Sequence, residues 1–134
     1  MTQKNIDTMD IIVNELTNGK KISEALKTVY NKRSVKLPYD EDMLSLDIME
    51  LNMSMRTTNA LRRGGILTLL DAINYCKKDK ITTIKNLGTH SGIELFETIL
   101  DYIWSKMSDD ERVAFLIDVV ECNENNLKRG VYNE

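Results

Sequence analysis

Cysteine, histidine and proline are all scarce in this chain of 134 residues. Cys76 and Cys122 are the two cysteines and form no Cys-x-x-Cys pair, which excludes a disulfide framework and a cysteine-based zinc module. A single histidine, His90, excludes a histidine-rich metal site. The one proline, Pro38, leaves long uninterrupted segments and favours helices over a turn-rich β-sandwich. No apolar run reaches the ~18 residues of a membrane span. The N-terminal MTQKNIDTMD has no apolar signal-peptide core. These absences predict a soluble cytoplasmic protein with no membrane partner, no metal and no cofactor.

What is present is globular. Apolar residues make up 42% and charged residues 29%, enough for a core without staples. A net charge of -3 argues against a strongly basic, nonspecific nucleic-acid binder. The cations are nevertheless clustered, at Lys20, Lys21, Lys27, Lys32, Arg33 and Lys36, and again at Arg56, Arg62 and Arg63. Acids gather at Asp40, Glu41 and Asp42, and at Asp109, Asp110 and Glu111.

Helical periodicity dominates. Residues 5–17 place Ile6, Met9, Ile12, Val13 and Leu16 at helical spacing, and Asn18-Gly19 stops that helix. A second helix is predicted from about Ser23 to Lys32, with Leu26, Val29 and Tyr30 on its apolar side. Residues 34–42 read as a connector around Pro38. Ser54 is an N-cap candidate for a helix over 55–63, ended by Gly64-Gly65. Thr68 caps the next helix, with Asp71 at its third position, and that helix runs to about Cys76. A helical turn is expected near 80–84. Ser91 and Glu94 have capping-box spacing for a helix to about Lys106, and Ser108 and Glu111 for a last one through Val113, Phe115, Leu116, Val119 and Val120. The tail from Asn123 reads as frayed. The fold class is therefore all-α: a compact helical domain with a helix-hairpin-helix-like turn, plus an N-terminal helical hairpin and a C-terminal helix. The expected domains are 1–36 (hairpin), 37–43 (linker), 44–106 (central domain) and 107–134 (C-terminal helix and tail). The expected core is Leu51, Leu61, Ile66, Leu70, Ile73, Ile84, Leu87, Leu95, Ile99 and Ile103.

Enzyme signals are nearly missing. There is no phosphate loop, dinucleotide fingerprint, zinc-protease motif or nucleophile elbow. Cys76 and His90 could pair as nucleophile and base, but Cys76 lies on the apolar side of a helix. Asp40, Glu41 and Asp42 lack the Gly-punctuated spacing of a cation loop. The protein reads as a non-enzyme.

Two segments carry chemistry. In IKNLGTHSGIE (residues 84–94), Leu then Gly before a capped helix reads as a helix-hairpin-helix turn. Its backbone N–H groups and the helix N-terminus suit a phosphate. A helical corner with no ligand uses Gly for the same backbone reason. In the helix at 55–63, Arg56, Asn59 and Arg63 fall at i, i+3 and i+7, so one face carries cation, amide and cation. Arg beside Asn suits a minor groove; a solvated face has the same composition.

The two segments belong to a longer pattern. Ile48, Leu51, Met53, Ser54, Arg56, Asn59, Leu61 and Arg62 form one block. Gly65, Ile66, Thr68 and Asp71 form a second, and Asn86, Leu87, Gly88, Ser91 and Glu94 a third. In this order and spacing, residues 46–104 resemble the C-terminal domain of the bacterial RNA polymerase alpha subunit. The resemblance implies binding to the minor groove of A+T-rich double-stranded DNA, with RNA polymerase or sigma factor as further partners. The implied DNA-contacting positions are Arg56, Asn59, Gly88, Ser91 and Glu94, with Asn86 in the supporting turn; Asn59 and Glu94 would help hold the Arg56 side chain and the turn. Two departures stand out. His90 replaces a lysine of the turn, a weaker cation at neutral pH, and Ala60 replaces a Cys or similar small residue. Arg62 and Arg63 offset the lost charge. The sequence has no room for the alpha subunit's assembly domain, so a small standalone transcription-associated or mobile-element protein is expected. The competing reading is a protein-interaction module that binds RNA polymerase, sigma factor or itself as a homodimer, without DNA affinity.

Overall fold

The computed structural model describes residues 1–31, 35–76, 84 and 87–132. Among them are six α-helices: α1 (Gln3–Thr17), α2 (Ile22–Val29), α3 (Met55–Arg63), α4 (Leu69–Tyr75), α5 (Thr89–Ser105) and α6 (Asp109–Cys122). Short 3-10 turns at Glu41–Ser45 and Ile48–Glu50 precede α3. Extended pairing among the described residues is limited to two isolated bridges, Tyr30 with Leu127 and Asp47 with Thr68. The fold is all-helical, as the periodicity predicts. No helix among the described residues is long and apolar enough to cross a membrane. The turn expected near 80–84 lies outside the described residues except for Ile84.

The protein divides into two compact units, one of Met1–Pro38 with Trp104–Glu134 and the other of Tyr39–Ile103. In the first, α1 packs on α2 and α6. Its core includes Ile12, Ile22, Leu26, Val29, Tyr30, Phe115, Leu116, Val119 and Val120. The expected α1 stripe is corrected here. Ile6 and Val13 are exposed, while Asn5 and Thr8 are buried with Ile12. Polar partners explain the difference: Asn5 donates to Glu124 at 2.6 Å, and the Thr8 hydroxyl bonds that of Tyr132. Likewise Val113 is exposed, on the outer side of α6. Helix α2 begins at Ile22, and Lys21 stands at its N-cap with no side-chain cap bond; Ser23 is buried inside it.

The tail and the connector are also more ordered than their composition suggests. Asn123 is fully buried. Its amide donates to the Lys36 and Val119 carbonyls and its oxygen accepts the Lys36 N–H at 2.8 Å. Val35 and Leu37, on either side of Lys36, are buried too, which a solvated linker would not do. Arg112 donates twice to the Trp104 carbonyl and lies over the Trp104 ring, joining the end of α5 to α6.

In Tyr39–Ile103 the core contains Ile48, Leu51, Leu61, Ile66, Leu69, Ala72, Ile84, Leu87, Leu95, Phe96, Ile99, Leu100 and Ile103. Leu70, expected inside, is 43% exposed, and Ile73 is half-buried. The inward face of α4 is shifted by one residue, to Leu69 and Ala72. The cause is the anchoring of its first turn: Leu69 N–H donates to the Leu46 carbonyl and Ile48 N–H to the Leu67 carbonyl. The Thr68–Asp71 capping box forms as expected, and so does that of Ser108 and Glu111. The box expected at Ser91 and Glu94 does not open α5, which starts two residues earlier at Thr89. Both side chains are turned to α3 instead.

Candidate nucleic-acid interface

Helix α3 starts where Ser54 accepts the Thr57 N–H on its hydroxyl, satisfying one orphan donor of the first turn. It ends in a Schellman motif. The Ile66 N–H bonds the Leu61 carbonyl, the Gly65 N–H bonds that of Arg62, and Gly65 takes the left-handed φ of 73°. Both ends are thus specified locally. Leu61 and Thr57 face inward, while Arg56, Asn59, Arg62 and Arg63 are exposed. Arg56 is the second residue of the helix, where the dipole is positive. A cation gains no stability there from the helix itself.

Gly88 directly precedes α5 with φ 83°, and its carbonyl accepts the Gly92 N–H at 3.0 Å. A Cβ built there would meet nothing within 4 Å among the described residues. The glycine therefore serves the backbone angle, and Gly88 itself is exposed. Thr89 and His90 are exposed on the first turn of α5. Asn86 lies outside the described residues.

Two contacts bring the starts of α3 and α5 side by side. The buried Thr57 hydroxyl donates to the Ser91 hydroxyl at 3.0 Å. The Glu94 carboxylate accepts both the Ser54 N–H and the Ser54 hydroxyl at 2.9 Å. Burial tends to raise the Glu94 carboxyl, but bonds from Ser54 and Thr57 outweigh it and hold it below its ordinary range. The carboxylate also sits against the N-terminus of α3, a favourable charge–dipole position. Ser91, expected among the contact positions, is only 6% exposed and is occupied by Thr57. The structure thus joins the Arg56 helix to the Gly88 turn through Ser54, Thr57, Ser91 and Glu94. Thr57 escaped the sequence reading, because its partner lies 34 positions away and leaves no local pattern.

Residues 36–101 match the family of the C-terminal domain of the bacterial RNA polymerase alpha subunit. This central segment resembles that domain. Across the alpha-like segment and its flanks, the protein is 28% identical to the DNA-directed RNA polymerase subunit alpha of Dehalococcoides mccartyi, over 90% of its own length and 34% of that protein. It is 35% identical to that of Mycoplasmopsis synoviae, over 55% of its own length and 21% of that protein. It is 33% identical to that of Aquifex aeolicus, over 60% of its own length and 26% of that protein. It therefore spans about a third or less of the length of these relatives. No solved structure matches it.

The alpha-like segment has seven Lys and Arg against ten Asp and Glu between positions 39 and 103. Its cations matter by placement, then, and α3 concentrates three of them, Arg56, Arg62 and Arg63, on nine residues.

Proposed function

We propose that the alpha-like segment is a non-enzymatic, transcription-associated DNA-binding domain that contacts an A+T-rich minor groove and its phosphates. Arg56 supplies the guanidinium for the groove, where a narrow A+T tract enhances the negative potential. Asn59, one turn on, contacts sugar or phosphate or braces the arginine. The open Gly88 turn, with its backbone N–H groups and the start of α5, takes a phosphate. Arg62, Arg63 and His90 add phosphate contacts, Asn86 supports the turn, and Ser91 and Glu94 are positioning residues that hold the turn against α3. The observation that supports this reading is the Thr57–Ser91 bond, which joins the first turn of α3, where Arg56 is exposed, to the first turn of α5, which follows Gly88. The test is a titration of the protein against A+T-rich and G+C-rich duplexes at two salt concentrations. Preferential, salt-dependent binding of the A+T-rich duplex supports the reading, and no binding at low salt ends it.

One observation favours a second reading. Leu67 and Leu70 are exposed on the same unit, at 46% and 43%, with Met55 and Tyr75 more exposed still. Apolar side chains in that number suit contact with RNA polymerase, sigma factor or a second copy of the protein. Failure of the DNA titration, with retained binding to polymerase or self-association, would select it.

A further inference from the structure

After α6 the backbone forms a strap across the first unit. Lys128 N–H donates to the Val29 carbonyl at 2.8 Å, and Asn31 N–H to the Asn126 carbonyl at 3.4 Å. Gly130 then turns the strap, with φ 85°, and the Tyr132 hydroxyl bonds Thr8 on α1. A groove of about 470 Å³ runs along one side of it, lined by Lys27, Tyr30, Asn31, Leu127, Lys128 and Arg129. A smaller one of about 200 Å³ shares Leu127, Lys128 and Arg129 and adds Lys4 and Tyr132. Cations from α1, α2 and the strap thus border one continuous surface. Among the described residues no carboxylate lines either side, and neither Lys128 nor Arg129 pairs with one.

We propose that this groove binds the phosphate backbone of a nucleic-acid duplex without reading its bases. Cations bordering a surface that no carboxylate lines attract a row of phosphates, and release of counterions drives such binding. The aromatic residues are poorly placed for base stacking. Tyr30 is 1% exposed and offers no ring face, and one face of the Tyr132 ring is taken by the Lys4 ammonium, 5.3 Å from its centroid. Binding of a single strand draws on such faces, whereas a duplex presents its phosphates alone. The site lies in the unit of Met1–Pro38 and Trp104–Glu134, so it does not rest on the reading of the Arg56 helix.

The experiment uses the whole 134-residue protein with Arg56→Ala and a G+C-rich duplex, titrated at two salt concentrations. The Arg56→Ala protein should keep a salt-dependent affinity. Adding Lys128→Gln and Arg129→Gln should weaken it by about tenfold or more at low salt and lower the salt slope by about 2. Both side chains are exposed, so melting temperature should hold. In the same background, Lys128→Arg with Arg129→Lys keeps the charge and should bind as Arg56→Ala does, which separates charge from folding. The proposal is overturned if Arg56→Ala does not bind, if the glutamine pair leaves Kd and slope unchanged, or if the charge-keeping pair loses binding. It is equally overturned if inorganic tripolyphosphate, or vesicles of an anionic phospholipid, bind the groove as tightly as the duplex.

Discussion

The Glu94 carboxylate of α5 caps α3 from outside, accepting the N–H and the hydroxyl of Ser54 from 40 positions away in sequence. A carboxylate here satisfies an N-cap residue and complements the helix dipole at once. Glu94→Gln keeps the shape and removes the charge. Because folding lowers the Glu94 pKa, its stabilisation is present above the ordinary glutamate value and is lost as pH falls through the folded one. Glu94→Gln should therefore be less stable than the parent at pH 7, by about 0.5–1 kcal/mol given partial solvent screening. The gap should close in acid. Thermal melts across pH check this; a gap that persists at pH 3 would refute the charge–dipole account.

The Thr57–Ser91 pair is buried, so one partner without the other is costly. Thr57→Val should cost about 1–3 kcal/mol by leaving the Ser91 hydroxyl unsatisfied. Adding Ser91→Ala to it should recover part of that loss. A double-mutant cycle on denaturant midpoints measures the coupling, and strict additivity would show that the bond is not formed.

Gly88 has a φ of 83°, and a Cβ there would meet none of the described residues within 4 Å. Gly88→Val should lose about 1–2 kcal/mol through backbone strain alone. Gly88→Asn should lose less, since Asn tolerates the left-handed region. Duplex affinity should fall in both if the turn approaches a phosphate. Unchanged melting and binding in Gly88→Val would dismiss both roles.

Arg56 is exposed at the positive end of a helix dipole, so its removal should hardly move the melting temperature. Arg56→Ala should cost about 1–3 kcal/mol of affinity for an A+T-rich duplex. Arg62→Ala, off that face, should cost less and act mainly by lowering the salt slope. Equal affinity of Arg56→Ala and parent would move the assignment to protein interaction.

Asn123 bonds both backbone groups of Lys36 and the Val119 carbonyl from a fully buried position. Asn123→Ala should cost about 2–4 kcal/mol, since buried backbone groups lose their partner. Urea denaturation gives the value, and a loss below about 0.5 kcal/mol would contradict the anchoring role.

The sequence by itself determined the helical class, the bounds of α3, two capping boxes and the block pattern of the alpha-like segment. These features are local: an N-cap, a Gly after a helix and a 3.6-residue period act within one or two turns. It did not determine which face of α4 turns inward, because Leu69 and Leu70 are equally apolar and the choice falls to the Leu46 carbonyl that binds Leu69 N–H. Nor did it show that α1 buries Asn5 and Thr8, since their partners Glu124 and Tyr132 come from the far end of the sequence. The same reason governs the candidate site. Arg56 and Gly88 are legible as motifs, but Ser91 and Glu94 have capping-box spacing and would cap their own helix if nothing else competed. The tertiary structure decides otherwise, because the first turn of α3 brings them the buried Thr57 hydroxyl and the Ser54 N–H, partners no local pattern encodes.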